Sequence, residues 1–376
     1  MSQMAAAAAF AMSIAAAGAA QAADGVRIFS DGPNHQGFND PRGVRFGPDG
    51  YLYVAEAGLG GATSTAGQCA QVPGPPLSPG PYTGGLTARI SKVSSQGIAT
   101  TVIDGLPSGI NANKAIQGVT DLDFIDGELY ALVAGGGCSH GISDPRFPAG
   151  VYRVDRRYGT AKLVANLSAF FAAHPVAHPD LDDIEPDGTL FSLAAVHHKL
   201  YAIEPNQGRL LEINPEDGHV RQLTDLSADP WIGPTAMAYH GIFRIGTLSR
   251  FHQPADPPIG YRAGDAQIFG VTKSGKVVET DHGFSTITGL AVSPRHRLYV
   301  LEFSDANAPP TIGAGKLVLA GEDGEIEEIL TGLTFPVGNM AFGPDGALYF
   351  SNYSAFFGRT GRKGEILRIE VPFHED

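Results

Sequence analysis

The sequence predicts an all-β fold, a six-bladed β-propeller closed by an N-terminal strand that completes the last blade. Three observations support this prediction: a repeated strand–turn–strand unit, many turn-forming residues, and a final repeat that lacks a strand. Glycine supplies 49 of the 376 residues, roughly twice the usual share, and proline adds 27. Together with a hydrophobic content of 43%, this composition is typical of many short strands around a large core.

The repeated unit is a short apolar strand, a turn of Pro-Asp-Gly type, and a strand centred on Leu-Tyr. Its first copy spans Pro41–Glu56 and its last copy spans Met340–Asn352. The aromatic residue of the second strand marks each copy, at Tyr53, Tyr130, Tyr201, Phe243, Tyr299 and Tyr349. These positions recur on average about every 59 residues, which is the length of a four-stranded blade with its loops.

The last copy lacks a fourth strand, because its third strand, Ile366–Ile369, is followed by only seven residues. Near the N-terminus, Gly25–Gly32 resembles the outermost strand of the first blade around Thr101–Gly105. We expect the N-terminal segment to pair with the third strand of the last blade. This pairing would close the ring and cover both sheet edges.

Residues 1–22 are interpreted as a signal peptide, and residues 23–376 as a single β-propeller domain. Met1–Ala23 is alanine-rich and uncharged, and it ends in the small-x-small pattern Ala20-Gln21-Ala22. The alternative is that the segment is retained as a transmembrane anchor. Cleavage predicts a periplasmic or secreted protein with no stable membrane span.

Several motifs resemble the ScyD/ScyE family of secreted, NHL-repeat-like propellers. They are Pro41–Gly43, Glu56–Gly58, Ser192–Ala194, Pro234–Ala236, Leu298–Phe303 and Gly343–Tyr353. The resemblance covers nearly the whole mature chain and implies the propeller fold and export, but no particular reaction. Thr189–Phe191 and Glu204–Gly208 depart from the family pattern, so the resemblance assigns no role to the third blade.

The charge and cysteine content narrow the possible partners. A formal net charge of −13 argues against a nucleic-acid partner, which requires a basic surface. Two cysteines are too few for a four-cysteine zinc site or a disulfide scaffold. The leading hypothesis is an extracytoplasmic protein that binds a small molecule, a glycan or a partner protein. Binding would use the propeller face that carries the long loops between second and third strands.

The candidate ligand-binding residues on that face are polar residues at inner-strand starts and second-strand ends, together with Trp231, which precedes blade four and could stack on a ligand. They are Glu56, Asn113, Asp183, Glu204, Trp231, Glu302, Asn339 and Asn352. The competing interpretations are structural: the carboxylates and amides would cap strand ends or bind channel water, and Trp231 would pack between blades. The sequence does not identify catalytic residues.

Glu56 and Glu302 occupy the same position in blades one and five, which makes them candidate ligands for a metal ion. Carboxylate and amide oxygens suit Ca²⁺ or another divalent cation. Such a cation in the central channel defines the alternative function, a metal-dependent lactonase-like hydrolase or lyase. Whether the protein is an enzyme is left open by the sequence.

The two cysteines, Cys69 and Cys138, each follow the second strand of adjacent blades, and we expect them to form a disulfide. An oxidising compartment and an even cysteine count favour this pairing. The alternative is a nucleophilic Cys138 in the glycine-rich loop that also contains Ser139 and His140. No residue at a fixed spacing supplies the oriented base that such a nucleophile needs.

Overall fold

The structure is a computed structural model that describes nine stretches of the chain: residues 25–74, 80–179, 184–228, 233–249, 251–252, 260–304, 311–321, 324–355 and 363–371. The predicted signal peptide lies outside these residues. Within the described part of the chain, no helix is both long enough and apolar enough to cross a membrane.

Six antiparallel sheets form a six-bladed β-propeller, which confirms the predicted fold class. The chain begins with β1 (Val26–Ser30), which belongs to the last blade. Blade 1 contains β2 (Pro41–Phe46), β3 (Leu52–Glu56), β4 (Thr83–Val93), β5 (Ala99–Ile110) and β6 (Ile116–Gln117). Blade 2 contains β7 (Val119–Ile125), β8 (Glu128–Val133), β9 (Gly150–Asp155) and β10 (Thr160–Asn166).

The remaining blades follow in chain order. Blade 3 contains β11 (Ser192–Val196), β12 (Lys199–Glu204), β13 (Arg209–Ile213) and β14 (Val220–Asp225). Blade 4 contains β15 (Pro234–His240), β16 (Ile242–Thr247), β19 (Ala266–Val271) and β20 (Val277–Phe284), with the small ladder β17 (Phe251–His252) and β18 (Gly260–Tyr261) in its loop. Blade 5 contains β21 (Ile287–Val292), β22 (Leu298–Glu302), β23 (Gly315–Ala320) and β24 (Ile326–Leu333). Blade 6 contains β25 (Ala341–Phe342), β26 (Leu348–Asn352), β27 (Glu365–Ile369) and the N-terminal β1.

The N-terminal strand closes the ring as predicted. β1 pairs antiparallel with β27 and places Val26 opposite Ile369. Beyond the strand, Phe38 and Gly364 exchange two backbone hydrogen bonds of 2.9 and 3.1 Å. Both ends of the described chain therefore contribute to one sheet.

The Leu-Tyr repeat stabilises the contacts between blades. In three blades the tyrosine of the second strand packs edge-on against a phenylalanine from the inner strand of the following blade. The pairs are Tyr53 with Phe124, Tyr299 with Phe342 and Tyr349 with Phe46, with ring centroids 5.1, 5.5 and 5.1 Å apart. Such edge-to-face contacts stabilise a core beyond the area they bury.

The Gly-Pro-Asp-Gly turn fixes the position of the tyrosine. Asp49 Oδ2 accepts a 2.8 Å hydrogen bond from the Tyr53 hydroxyl, and Asp345 accepts one of 2.9 Å from Tyr349. A Cβ atom at Gly47 would lie 2.6 Å from the Tyr53 ring, so this position requires glycine. The repeated motif therefore specifies a turn and an aromatic contact together.

One helix was not anticipated from the sequence. Helix α1 (Leu167–Ala173) follows the outer strand of blade 2, and the Asn166 side chain caps it by accepting a 2.9 Å hydrogen bond from Ala169 N. Leu167 and Phe171 bury its apolar side in the core between blades 2 and 3.

Deleting residues 25–30 should destabilise the whole domain, because it exposes the edge of β27 and removes Val26 and Phe29 from the packed interior. We expect the Tm to fall by about 10 °C or more. Ile28→Ser is the matched control, since Ile28 is 51% exposed on the same strand and its replacement should change the Tm little. A deletion variant that melts together with the parent in calorimetry would contradict the closure by β1.

Candidate functional site

The four residues predicted at second-strand ends occupy equivalent positions in four blades. They are Glu56, Glu204, Glu302 and Asn352, with exposed fractions of 0, 1, 1 and 6%. Three of them accept a hydrogen bond from a backbone N–H just before the inner strand of their own blade. The donors are Asn39 to Glu56 at 2.6 Å, Ser285 to Glu302 at 2.7 Å and Thr334 to Asn352 at 2.8 Å.

A residue directly opposite on the third strand contacts each of these side chains. The contacts are Glu56 with Arg89 at 2.7 Å, Glu204 with Arg209 at 3.8 Å, Glu302 with Lys316 at 3.5 Å and Asn352 with Glu365 at 3.0 Å. We call these four contacts the strand-end braces. Glu56, Glu204, Glu302 and Asn352 are therefore buried within their own blades, in contacts of the strand-capping kind.

Burial is the largest influence on the pKa of two brace carboxylates, Glu56 and Glu204. It raises the pKa of Glu56, although the hydrogen bond and charge of Arg89 act in the opposite direction. Burial also raises the pKa of Glu204 to about 7, against the lowering effect of Arg209. These carboxylates therefore tie strands together at a desolvation cost.

A buried polar contact between Asp121, Ser192 and Asn339 crosses the central channel. We call this contact the channel lock. Asn339 Nδ2, from blade 6, donates a 2.8 Å hydrogen bond to Asp121 Oδ2 of blade 2 and a further one to Ser192 Oγ of blade 3. Asp121 Oδ2 also accepts from Leu193 N at 2.8 Å. Residues from three blades therefore meet at the axis, and the predicted residue Asn339 is one of them.

Burial raises the pKa of Asp121 to about 6, while the charge of Arg45 lowers it. Elsewhere around the axis, threonine hydroxyls join neighbouring blades: Thr235 donates to Ile287 O, and Thr288 donates to Pro336 O at 2.9 Å. The inner strands are therefore linked by side chains as well as by apolar packing.

The donor groups of the described residues do not fit the predicted divalent cation. Glu56 and Glu302 lie in braces of different blades, and the amide NH₂ of Asn339 points at Asp121. Across the described stretches, no three His, Cys, Asp or Glu side chains come together to hold a metal ion.

An apolar wall lies beside the channel lock on the long-loop face. Phe191, which immediately precedes Ser192, packs against a cluster that contains Phe303, Phe335 and Val337. The rings of Phe303 and Phe335 are 5.4 Å apart. Blade 3 thus contacts loop residues of blades 5 and 6 across the channel.

A polar wall lies next to it, built from loops of blades 1, 2 and 3. The Tyr82 hydroxyl donates to Glu185 Oε1 at 3.2 Å, and His140 Nε2 lies 3.3 Å from Glu185 Oε2. Asn111 Nδ2 donates to the Tyr82 hydroxyl at 3.4 Å, and Thr189 donates to Glu185. We call Tyr82, Asn111, His140 and Glu185 the Tyr82 cluster.

Electrostatics couples the members of the Tyr82 cluster. Burial lowers the pKa of His140, but the hydrogen bond and charge of Glu185 outweigh it, so the pKa is raised. Burial and the charge of Glu185 both raise the pKa of Tyr82 well above its ordinary value. Glu185 therefore favours the protonated form of His140, and burial favours the neutral form of Tyr82.

Arg42 lies next to both walls, and its backbone packs against Gly338, which follows Val337. Its guanidinium donates to Ile116 O at 2.9 Å, next to Gln117, whose side chain bonds to Tyr82. Burial raises the pKa of Asp40 to about 7, while its neighbour Arg42, 3.3 Å away, lowers it. We call the region bounded by Arg42, Gln117, Glu185, Phe191 and Phe335 the channel mouth.

The structure joins Cys69 and Cys138 by a disulfide, with their Cα atoms 6.3 Å apart. The bond ties the long loop of blade 1 to a 3-10 turn, Cys138–His140, in blade 2. The Thr65 hydroxyl donates to Cys138 O at the same place. Because His140 belongs to this turn, the disulfide supports the position of the Tyr82 cluster.

The remaining predicted residues do not join the site. Asn113 is exposed in the hairpin turn between β5 and β6. Asp183 and Trp231 lie outside the described residues. Sequence reasoning noticed His140 only as a neighbour of Cys138, and it missed Tyr82 and Glu185. These three residues are far apart in the chain, and only the packing of three loops brings them together.

No family model matches the chain, and no curated protein sequence matches it. Solved propellers match its structure over 91–92% of its length at low identity. They include a Bacteroides thetaiotaomicron protein of unknown function (12% identity, 76% of that chain, TM-score 0.57) and a gluconolactonase from Xanthomonas campestris (10%, 89%, 0.52). A third is an auxiliary nutrient-binding protein from Bacteroides thetaiotaomicron (9%, 72%, 0.52). These similarities show the fold, which proteins of different activity share.

Replacing Glu204 with Gln should flatten the dependence of stability on pH. The folded chain keeps a proton on Glu204 up to its pKa of about 7, whereas the unfolded chain loses it near 4.5. The folded state therefore binds more protons in this window, and stability falls as pH rises through it, by up to roughly 3 kcal/mol from this group. Urea unfolding at pH 5 and pH 8 measures the free energy of unfolding at each pH. Glu128→Gln is the control, because it makes the same change at an exposed glutamate. If the free energy of unfolding changes equally between pH 5 and pH 8 in the parent and in Glu204→Gln, the prediction is wrong.

The disulfide predicts a specific thiol count. Chain purified from an oxidising compartment and denatured without reductant should show no free thiol, because both cysteines of the chain are paired. Its loop spans 69 residues, so removing the bond should cost on the order of 4 kcal/mol of stability by the chain-entropy model. Two free thiols per chain would contradict the pairing.

Proposed function

We propose that the protein is an extracytoplasmic binding propeller that takes a small amphipathic molecule, or one unit of a glycan, at the channel mouth. The observation that carries the proposal is the pairing of an apolar wall, Phe191 and Phe335, with a polar wall, Arg42 and Glu185. Small-molecule sites combine such apolar surface with a few fixed polar groups.

The channel mouth supplies both acceptors and donors. Glu185 presents a carboxylate, and Arg42 a guanidinium that retains 8% exposure. The half-buried Gln117 and Phe191 lie beside them. Since the disulfide and the Tyr82 cluster hold the loops in place, little conformational entropy would be lost on binding.

Export is part of the proposal. It is supported by the signal-like composition of residues 1–22, by the resemblance to the ScyD/ScyE family, and by a disulfide that suits an oxidising compartment. The nutrient-binding protein among the similar structures shows that this fold is compatible with ligand binding.

The alternative, a metal-dependent lactonase-like hydrolase or lyase, is supported by the fold it would share with the gluconolactonase. The contacts of Glu56 and Glu302 argue against a metal site. The carboxylate oxygens of these residues already contact Arg89, Lys316 and backbone N–H groups. Elemental analysis after chelator-free purification separates the two hypotheses: a stoichiometric divalent metal lost in Glu56→Gln would favour the enzyme.

The channel mouth predicts which substitutions abolish binding. A thermal-shift panel of monosaccharides, sugar lactones and aromatic glycosides should contain compounds that raise the Tm. Phe191→Ala and Gln117→Ala should each remove that shift, because they take away one apolar and one polar contact. Tyr158→Ala, at a 67% exposed position on the opposite face, should retain it. Shifts that survive both mouth substitutions, or a panel without any stabilising member, would contradict the proposal.

A further inference from the structure

A cavity of about 140 Å³ lies between blades 6 and 1, on the face opposite to the long loops. We call it the seam cavity. Its apolar wall consists of Phe29, Phe46 and Tyr349, and its polar rim consists of Arg27, Ser94, Ser95 and Asp345. Phe29 from β1 and Phe46 from β2 pack edge-on against Tyr349, with centroids 4.9 and 5.1 Å away. The cavity is therefore formed by ring closure itself.

The neighbouring seam between blades 1 and 2 shows what fills the equivalent space there. Arg156 directly follows the third strand of blade 2, and its guanidinium lies 5.8 and 5.4 Å from the rings of Tyr53 and Phe124. In blade 1 the residue directly after the third strand is Ser94. Because serine is much smaller than arginine, the space above Tyr349 and Phe46 stays open.

The charged residues that line the seam cavity are Arg27 and Asp345. Arg27 lies directly opposite Arg368 in the pair of β1 and β27. Asp345 and Glu370 each contact Arg368 at 2.9 Å, whereas among the described residues no carboxylate lies within ion-pair distance of Arg27. Arg368 is thus already paired with two carboxylates, and an anion in the cavity would pair with Arg27 in the same way.

Ser94 adds a hydroxyl group to the rim. Its Oγ accepts hydrogen bonds of 3.3 Å from Gln96 N and from Ile98 N. With its lone pairs engaged by the turn, the hydroxyl is best used as a donor, which suits a carboxylate.

We propose that the seam cavity binds a small planar aromatic carboxylate. The ring would lie against Phe29, Phe46 and Tyr349, and the carboxylate would reach Arg27 and Ser94. An apolar cavity of roughly 150 Å³ is large enough for benzene, so the ring of benzoate fits. The site is on the other face from the channel mouth and does not depend on the function proposed for that mouth.

Benzoate is the probe, and isothermal titration or ligand-observed NMR is the measurement. We expect saturable binding with a Kd on the order of 1 mM or tighter. Benzamide has the same shape but no charge, and it should bind about tenfold more weakly because it lacks the charge-assisted contact.

Two substitutions locate the site. Ser94→Arg should fill the cavity as Arg156 fills the neighbouring seam, and it should abolish binding of both probes. Gln96→Arg, in the same turn, is the control and should leave binding unchanged. Arg27→Gln should weaken benzoate about tenfold and leave benzamide unaffected. The Tm of each variant shows whether it folds, and if Ser94→Arg does not fold, Arg27→Gln decides. No saturable benzoate binding to the parent, or equal benzoate affinity for the parent and Arg27→Gln, would overturn the proposal.

Discussion

The pairing of β1 with β27 is the interaction on which the rest of the structure depends. A propeller blade needs a neighbour on both sides, and an open ring would leave blades 1 and 6 with exposed faces and edges. The N-terminal strand supplies the missing edge of blade 6, and Phe38 and Gly364 extend the contact. Closure then places Phe46 of blade 1 against Tyr349 of blade 6, the same contact that is formed in two other seams.

A closed ring brings polar inner-strand residues together at the axis, where their side chains are buried. Asp121, Ser192 and Asn339 hydrogen-bond to one another there, and the strand-end braces form ion pairs and hydrogen bonds within single blades. Most of the buried carboxylates therefore serve the scaffold. At the channel mouth, charged and apolar groups from several blades converge with some surface still exposed.

The repeat made the fold predictable from sequence, because each local signal had one structural meaning. Asp49 and Tyr53 recur as Asp345 and Tyr349 with the same hydrogen bond, and Val26–Ser30 could be matched by its sequence to the outer strand of a blade. Periodic patterns of this kind predict the strands and turns of the blades.

The site was predictable only in part. The equivalence of Glu56 and Glu302 was visible in the sequence, but their burial was not, since it depends on Arg89 and Lys316 directly opposite on the third strands. His140 and Glu185 are 45 residues apart and meet only because loops of adjacent blades pack together. A repeat fixes strand register, whereas the loops that build a site do not repeat.

Hydrogen–deuterium exchange followed by mass spectrometry tests ring closure most directly. If β1 completes blade 6, peptides covering Val26–Ser30 and Glu365–Ile369 should be protected to a similar degree and should lose protection together as denaturant is added. Rapid exchange of Val26–Ser30 under native conditions, with Glu365–Ile369 still protected, would contradict the account.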